Sequence, residues 1–209
     1  MAYFSLAMIA ELVFAITLIT ELLVAAGLLI SLYYPNNRIW PPPKKDSWQY
    51  RYTQFLSNGT FLLFFILGFL DMKSFILESW GFLLVGFIFM INGAALYLWA
   101  RQTFQKTYAK IRLEALLELS EKKMIDEFSE TNEKLVTEGP YKYSRNPQYL
   151  GTILFFLGNI LVFNSFYQFV TGFLGFVFLI IAVFVEESWL EFRFKGKYEE
   201  YCKKVHRFI

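Results

Sequence analysis

The sequence predicts an all-α, polytopic membrane protein with five transmembrane helices, the last two forming a tight hairpin, plus an amphipathic helix and a C-terminal helix on one side of the membrane. Three observations carry that prediction. Of 209 residues, 56% are hydrophobic and 25 are Phe, and the mean hydropathy is +0.40, more apolar surface than a soluble domain of this size can bury. The apolar residues gather into five runs that reach or approach the ~20 residues a helix needs to cross a hydrocarbon core. Of 20 Lys and Arg residues, 19 fall in the three segments that a five-span layout places on one side, and Lys73 alone falls on the other. Basic residues concentrate on the cytoplasmic side, so this split predicts an external N-terminus and a cytoplasmic C-terminus.

Composition also excludes classes of function. Intrinsic disorder needs low hydrophobicity and high net charge. A disulfide framework needs more than one cysteine, and Cys202 stands alone. A formal charge of +2 is too balanced to point to nucleic acid.

The first run, residues 3–34, is apolar apart from Glu11, Glu21 and a few hydroxyls, and it lacks the basic start of a signal peptide. Acids inside a span are costly, so Glu11 and Glu21 need a reason. They lie ten residues apart, on different faces, which argues against one joint site and leaves partners in helix packing or a place near the route of a ligand. Residues 35–53 follow as a connection stiffened by Pro41, Pro42 and Pro43. The second run covers residues 54–70 and the third residues 80–100, where Asn92 is expected to join helices by hydrogen bonding. Tyr33, Tyr34, Trp40, Trp48, Trp80 and Trp99 near span ends read as an aromatic belt.

Residues 104–130 carry an apolar stripe of Tyr108, Ile111, Ala115 and Leu119, continued by Ile125 and Phe128, and read as a separate amphipathic helix. The fourth run, residues 149–163, is short, and the fifth, residues 166–185, has no charge inside it. Only Asn164 and Ser165 separate them, which forces the antiparallel hairpin. No linker marks a second domain. The chain reads as one membrane domain, residues 1–100 supplying three spans and residues 101–209 a cytoplasmic helix, the hairpin and the C-terminal helix, the region in which the candidate site residues fall.

The densest polar stretch, residues 136–151, precedes the fourth span. Asn146 suits a helix N-cap and Pro147 the first helical position. Capping does not call for Tyr141, Tyr143, Arg145 and Tyr149 as well. At the far end of the hairpin stand Glu186 and Glu187, at the negative end of a helix where carboxylates are disfavoured. With the turn near Ser165, residue 145 falls opposite about residue 186, so Arg145, Asn146 and Tyr149 meet Glu186 and Glu187. A helix N-terminus for an anion, an Arg, two carboxylates for an ammonium and tyrosine faces for a cation suit a zwitterion with an extra positive centre. S-adenosylmethionine has that form. A purely structural Arg–Glu clasp uses the same residues. His206, the only histidine, reads as an interfacial side chain and no metal site is expected; Cys202, with nothing near it in sequence that marks it as activated, reads as a small buried residue.

Leu135-Val136, Gly139-Pro140-Tyr141, Arg145-Asn146-Pro147, Tyr149 and Gly151, followed by Glu186-Glu187 with Leu190, and by Gly196, Tyr198, Tyr201, Val205 and Arg207, resemble the isoprenylcysteine carboxyl methyltransferase and phospholipid methyltransferase superfamily of integral membrane enzymes. The resemblance covers about residues 92–209. It implies S-adenosylmethionine as methyl donor, with Lys134, Leu135, Val136 and Tyr141 meeting it through backbone and ring. Asn146, Pro147 and Tyr149 would line its site, Glu186 and Glu187 would take its ammonium or ribose end, and Arg145 would support the pocket or meet the acceptor. Glu186 and Arg145 are thus the expected catalytic pair. Many members carry His where this chain has Asn146, which donates a hydrogen bond but cannot act as a base. The expected acceptor is lipophilic, enters from the bilayer and is first of all a prenylcysteine-like carboxylate; a phospholipid, a small amine and a thiol remain alternatives. A sterol-type reductase would need a nicotinamide site, and no G-x-G-x-x-G run is present. A non-enzymatic membrane scaffold would keep the clasp and bind neither cofactor.

Overall fold

The computed structural model describes residues 5–34, 38–41, 47–72, 80–121 and 135–209, with the side chains of residues 110–121 left out of the description. Six α-helices account for most of them: α1 (Leu6–Tyr33), α2 (Trp48–Leu70), α3 (Trp80–Glu121), α4 (Pro147–Phe163), α5 (Phe166–Phe194) and α6 (Gly196–Lys204). A one-turn 3₁₀ helix, Gly139–Lys142, stands before α4. Four helices are long and apolar enough to cross a membrane, and α4 is a shorter apolar one. The chain is a multi-pass membrane protein, and its exposed Leu, Ile and Phe side chains, such as Leu12, Phe69, Phe87 and Phe173, are what a lipid-facing surface presents.

Three helices begin on a hydroxyl cap: Ser5 accepts from Met8 N, Ser47 from Tyr50 N and Ser165 from Gln168 N. The α4–α5 hairpin turns at Asn164, whose left-handed backbone (φ 51°) closes α4, and Ser165 then opens α5. Asp71, at the end of α2, clamps that turn by accepting from Ser165 Oγ at 2.8 Å and Tyr167 N at 3.0 Å. Gln168, fully buried, donates to Phe64 O at 2.8 Å and ties α5 to α2. Phe64 and Phe156 meet edge to face at 4.7 Å across α2 and α4, and Phe14 stacks on Tyr167 at 4.5 Å across α1 and α5.

The closest packing joins α3 and α4. Gly86 and Gly93 on α3 face Gly158 and Gly151 on α4, antiparallel, with backbones in contact. A Cβ added at Gly158 would sit 2.5 Å from Gly86 O, and one at Gly151 would sit 2.7 Å from Gly93 O. In hydrocarbon, where apolar side chains gain nothing by leaving lipid, such small-residue contact is a main source of helix association.

Three expectations change. The amphipathic segment is no separate helix: residues 104–121 continue α3, because no Gly or Pro interrupts the helix after Gly93. Residues 122–130 lie outside the described residues. At about 1.5 Å per residue, the 42 residues of α3 run roughly 63 Å, far beyond a bilayer core. Second, α5 does not stop at Val185 but runs to Phe194, so Glu186 and Glu187 lie well inside it and the helix dipole is no penalty. Third, Asn92 donates to Ile88 O of its own helix at 2.7 Å and is exposed, so it joins no helices. Glu11 is exposed and Glu21 is buried, so the two stand on different faces of α1.

Candidate functional site

The site forms where α4 begins and α5 passes it, at the end of the bundle rich in Lys and Arg. Pro147 starts α4 and Asn146 holds the N-cap position, but the Asn146 side chain makes no capping bond. Its amide donates instead to Glu187 Oε1 at 2.7 Å and to Arg207 O at 3.2 Å. The expected cap is therefore absent: the two bonds donated by the amide nitrogen fix the side chain toward Glu187 and Arg207, and its oxygen meets none of the first N–H groups of α4. The first N–H groups of α4 are left without that side chain, and such groups favour an anion.

Glu187 is the hub. Beyond Asn146, its Oε2 accepts from Arg207 Nε at 2.9 Å, and Arg145 Nε lies 3.6 Å from its Oε1. Arg207 also lays its guanidinium 4.3 Å from the centre of the Phe184 ring. The C-terminal segment folds back to complete this corner: Arg145 N donates to His206 O at 2.9 Å, and Ser144 Oγ to Arg207 O at 3.3 Å. Arg145 further donates to Cys202 Sγ on α6. Burial works against the Arg145 charge, and the Glu187 carboxylate with the Cys202 contact outweighs it, so its pKa rises and it stays a cation.

Glu186, one residue earlier, points elsewhere. Tyr149 donates to its Oε2 at 2.6 Å, and Trp40 Nε1 donates in turn to the Tyr149 hydroxyl at 2.9 Å. Among the described residues, no ion pair reaches Glu186, whereas Glu187 has two. Consecutive residues on a helix point about 100° apart, which is why one carboxylate faces α6 and the other faces the connection between α1 and α2.

Tyr141 sits on the 3₁₀ turn, accepting from Gln148 Nε2 at 3.0 Å, and its carbonyl accepts from the Tyr201 hydroxyl at 2.6 Å. Burial pushes the phenols of Tyr141 and Tyr201 well up, so both remain protonated. That turn needs Gly139: its φ is 58°, and an added Cβ would fall 2.7 Å from Thr103 Oγ1 on α3. Val136 is buried and Leu135 half-buried in the segment before it; Lys134 lies outside the described residues. Tyr143 is 73% exposed and takes no part.

A cleft of about 440 Å³ opens on the Glu187 side, lined by Arg145, Phe184, Glu187, Tyr198, Cys202 and Arg207 among others. That volume is within the range of small-molecule sites. Cys202 is half-buried on its wall, not enclosed as expected.

Residues 86–197 match the sequence profile of a family described as phospholipid methyltransferase. The chain belongs to that family. The match spans α4, α5, nearly all of α3 and the stretch from Gly139 to Tyr149, so Tyr141, Arg145, Asn146, Tyr149, Glu186 and Glu187 fall within the family region, while Trp40, Tyr198, Cys202 and Arg207 lie outside it. No curated protein and no solved structure matches the chain.

The structure brings together Arg145, Asn146, Tyr149, Glu186 and Glu187 from the sequence-predicted set, with Tyr141 joined through Gln148. Sequence reasoning missed Trp40, Arg207 and Tyr198 as parts of the corner. Arg207 and Tyr198 were visible in the methyltransferase-like motif; Trp40 had no local signal, since its partner Tyr149 is 109 residues away.

Proposed function

We propose that the chain transfers a methyl group from S-adenosylmethionine to a lipophilic acceptor that enters from the bilayer, at a cytoplasmic membrane face. The observation that carries this reading is the split of two adjacent carboxylates: Glu187 is neutralised by Arg145 and Arg207, while Glu186 is held by hydroxyl donation and meets no cation among the described residues. A carboxylate so placed suits a cationic ligand, and the first N–H groups of α4, which the Asn146 side chain does not cap, suit the carboxylate of the same ligand. The donor set thus fits the methyl donor. Leu135, Val136, Tyr141, Asn146, Pro147, Tyr149, Glu186 and Glu187 would hold it, together with Lys134, which lies outside the described residues.

When bound, S-adenosylmethionine supplies an electrophilic methyl group on a sulfonium centre. The chain's own contribution is orientation and exclusion of water in a site at the membrane surface. Tyr149 donates to Oε2 of Glu186 and orients the carboxylate, which would hold the positive end of a ligand or take a proton from an ammonium acceptor. Arg145, charged and steered by Glu187, supports the pocket wall.

The family description and the uncompensated Glu186 favour a phospholipid amine as acceptor. A prenylcysteine-like carboxylate is the second reading, favoured by Arg145 and Arg207 on the wall of the cleft. The deciding experiment is titration of detergent-purified protein with S-adenosylhomocysteine, read by heat release and thermal shift. Saturable binding supports the reading, and labelled methyl transfer to phosphatidylethanolamine or to a farnesylcysteine analogue then separates the acceptors. Folded protein that binds nothing removes it.

A further inference from the structure

We infer that Trp40, on the connection between α1 and α2, is a positioning residue of the site that sets the Glu186 carboxylate through the Tyr149 hydroxyl. The inference rests on the proposed use of Glu186 as a ligand-holding carboxylate. Trp40 lies outside the residues that match the methyltransferase family, so it would bring the N-terminal half of the chain into a site otherwise built from the C-terminal half.

The direction of each hydrogen bond follows from chemistry. An indole has one N–H and no acceptor. Trp40 Nε1, 2.9 Å from the Tyr149 oxygen, can therefore only donate to it. Tyr149 has one proton, and the remaining partner is Glu186 Oε2 at 2.6 Å. The principal line of donation runs one way, from Trp40 to Tyr149 to Glu186, each bond polarising the next, while the same indole N–H also acts weakly on the Glu186 carboxylate directly. Without the indole N–H the Tyr149 hydroxyl loses the partner that orients it.

Trp40 is also held as a positioning group must be. Ser31 Oγ, on α1, accepts from Ile39 N at 2.8 Å and from Trp40 N at 2.7 Å while donating to Gly27 O at 2.8 Å. Ile39 is buried against Gly27, where an added Cβ would meet it at 3.4 Å. Arg38 Nε donates to Pro41 O at 2.8 Å, and the Arg38 guanidinium lies 4.4 Å from the Trp189 ring centre on α5. An interfacial belt tryptophan behaves differently: Trp48 and Trp80 are 61% and 84% exposed, whereas Trp40 is half-buried with its N–H engaged inside the protein.

The test is a double-mutant cycle in affinity for S-adenosylhomocysteine, with thermal unfolding recorded for every variant. Trp40→Phe, which keeps a ring and removes the N–H, is expected to weaken binding by roughly five- to tenfold, in line with one hydrogen bond that supports a charged group. Tyr149→Phe is expected to weaken it at least as much, and Trp40→Phe added to Tyr149→Phe is expected to weaken it by much less than Trp40→Phe does alone. A merely structural role would add in both backgrounds. If Trp40→Phe does not fold, Ser31→Ala frees the Trp40 backbone with the indole intact and is read in the same cycle. Unchanged affinity in Trp40→Phe, or an equal loss with and without the Tyr149 hydroxyl, overturns the inference while leaving the methyltransferase reading in place. Wild-type protein that binds no S-adenosylhomocysteine overturns both.

Discussion

Asn146 and Glu187 are 41 residues apart in sequence and 2.7 Å apart in space, amide nitrogen to carboxylate oxygen. This one bond ties the start of α4 to α5 at the end of the hairpin opposite its turn. It predicts a graded series. Asn146→His keeps a ring N–H donor for Glu187 and is expected to preserve fold and cofactor affinity. Asn146→Asp sets a carboxylate against a buried carboxylate, and is expected to cost about 2 kcal/mol in thermal unfolding. An Asp variant as stable as wild type would mean that the bond contributes nothing.

The two carboxylates should separate in their effects. Glu187→Ala leaves Arg145, Arg207 and the Asn146 amide without their common acceptor, and removal of one member of a buried ion pair costs about 3 kcal/mol. Glu186→Gln keeps shape and an oxygen that can accept from Tyr149, so its unfolding temperature is expected to stay close to wild type while S-adenosylhomocysteine affinity falls more than about tenfold. The checks are thermal unfolding and calorimetric titration of both variants side by side. Similar profiles in the two would show that Glu186 is as structural as its neighbour.

Why the sequence revealed this corner, and where it stopped, can be seen residue by residue. Hairpin arithmetic needs only a two-residue turn and a steady rise per residue, so the pairing of residues 145–149 with 186–187 was legible. Span existence was legible for the same reason: hydrophobic runs of bilayer length have one common solution. The limits of α3 and α5 were not, because a helix continues past the apolar stretch wherever nothing breaks it, and polarity marks the membrane boundary instead of the helix end. Trp40 was read as one of several belt aromatics, since an indole at a span end looks alike whether its N–H meets water or Tyr149. The glycine pairs were overlooked as well, although Gly86 and Gly93 repeat the seven-residue spacing of Gly151 and Gly158.

Those glycines support a prediction of their own. Gly158→Ala would place a methyl 2.5 Å from a backbone oxygen of α3, an atom that cannot rotate away. The helices must part, at an expected cost of about 1–3 kcal/mol. Gly59→Ala is the matched control, since an added Cβ there meets nothing within 4 Å and α2 gains a better helix former. Thermal unfolding in detergent should fall for the first and hold or rise for the second. Equal behaviour would mean that α3 and α4 are not in backbone contact.

Glu21 supplies the contrary case, a buried acid that the site does not use. It is 4% exposed, and its Oε2 has no hydrogen-bond partner among the described residues. Its Oε1 would lie 3.9 Å from a Cβ at Gly175, eleven residues before Glu186 and so about 16 Å along α5 from the site. A carboxyl group at that depth without a partner is a net cost, and acids at the centre of a span cost about 3 kcal/mol on insertion scales. Glu21→Leu is therefore expected to raise the unfolding temperature, and Glu21→Gln to hold it, with S-adenosylhomocysteine affinity unchanged in both. A stabilised variant with full affinity and reduced methyl transfer would place Glu21 on the route of the acceptor. A variant that loses affinity for the cofactor product would show that the pocket reaches far deeper than the corner formed by Asn146, Glu186 and Glu187.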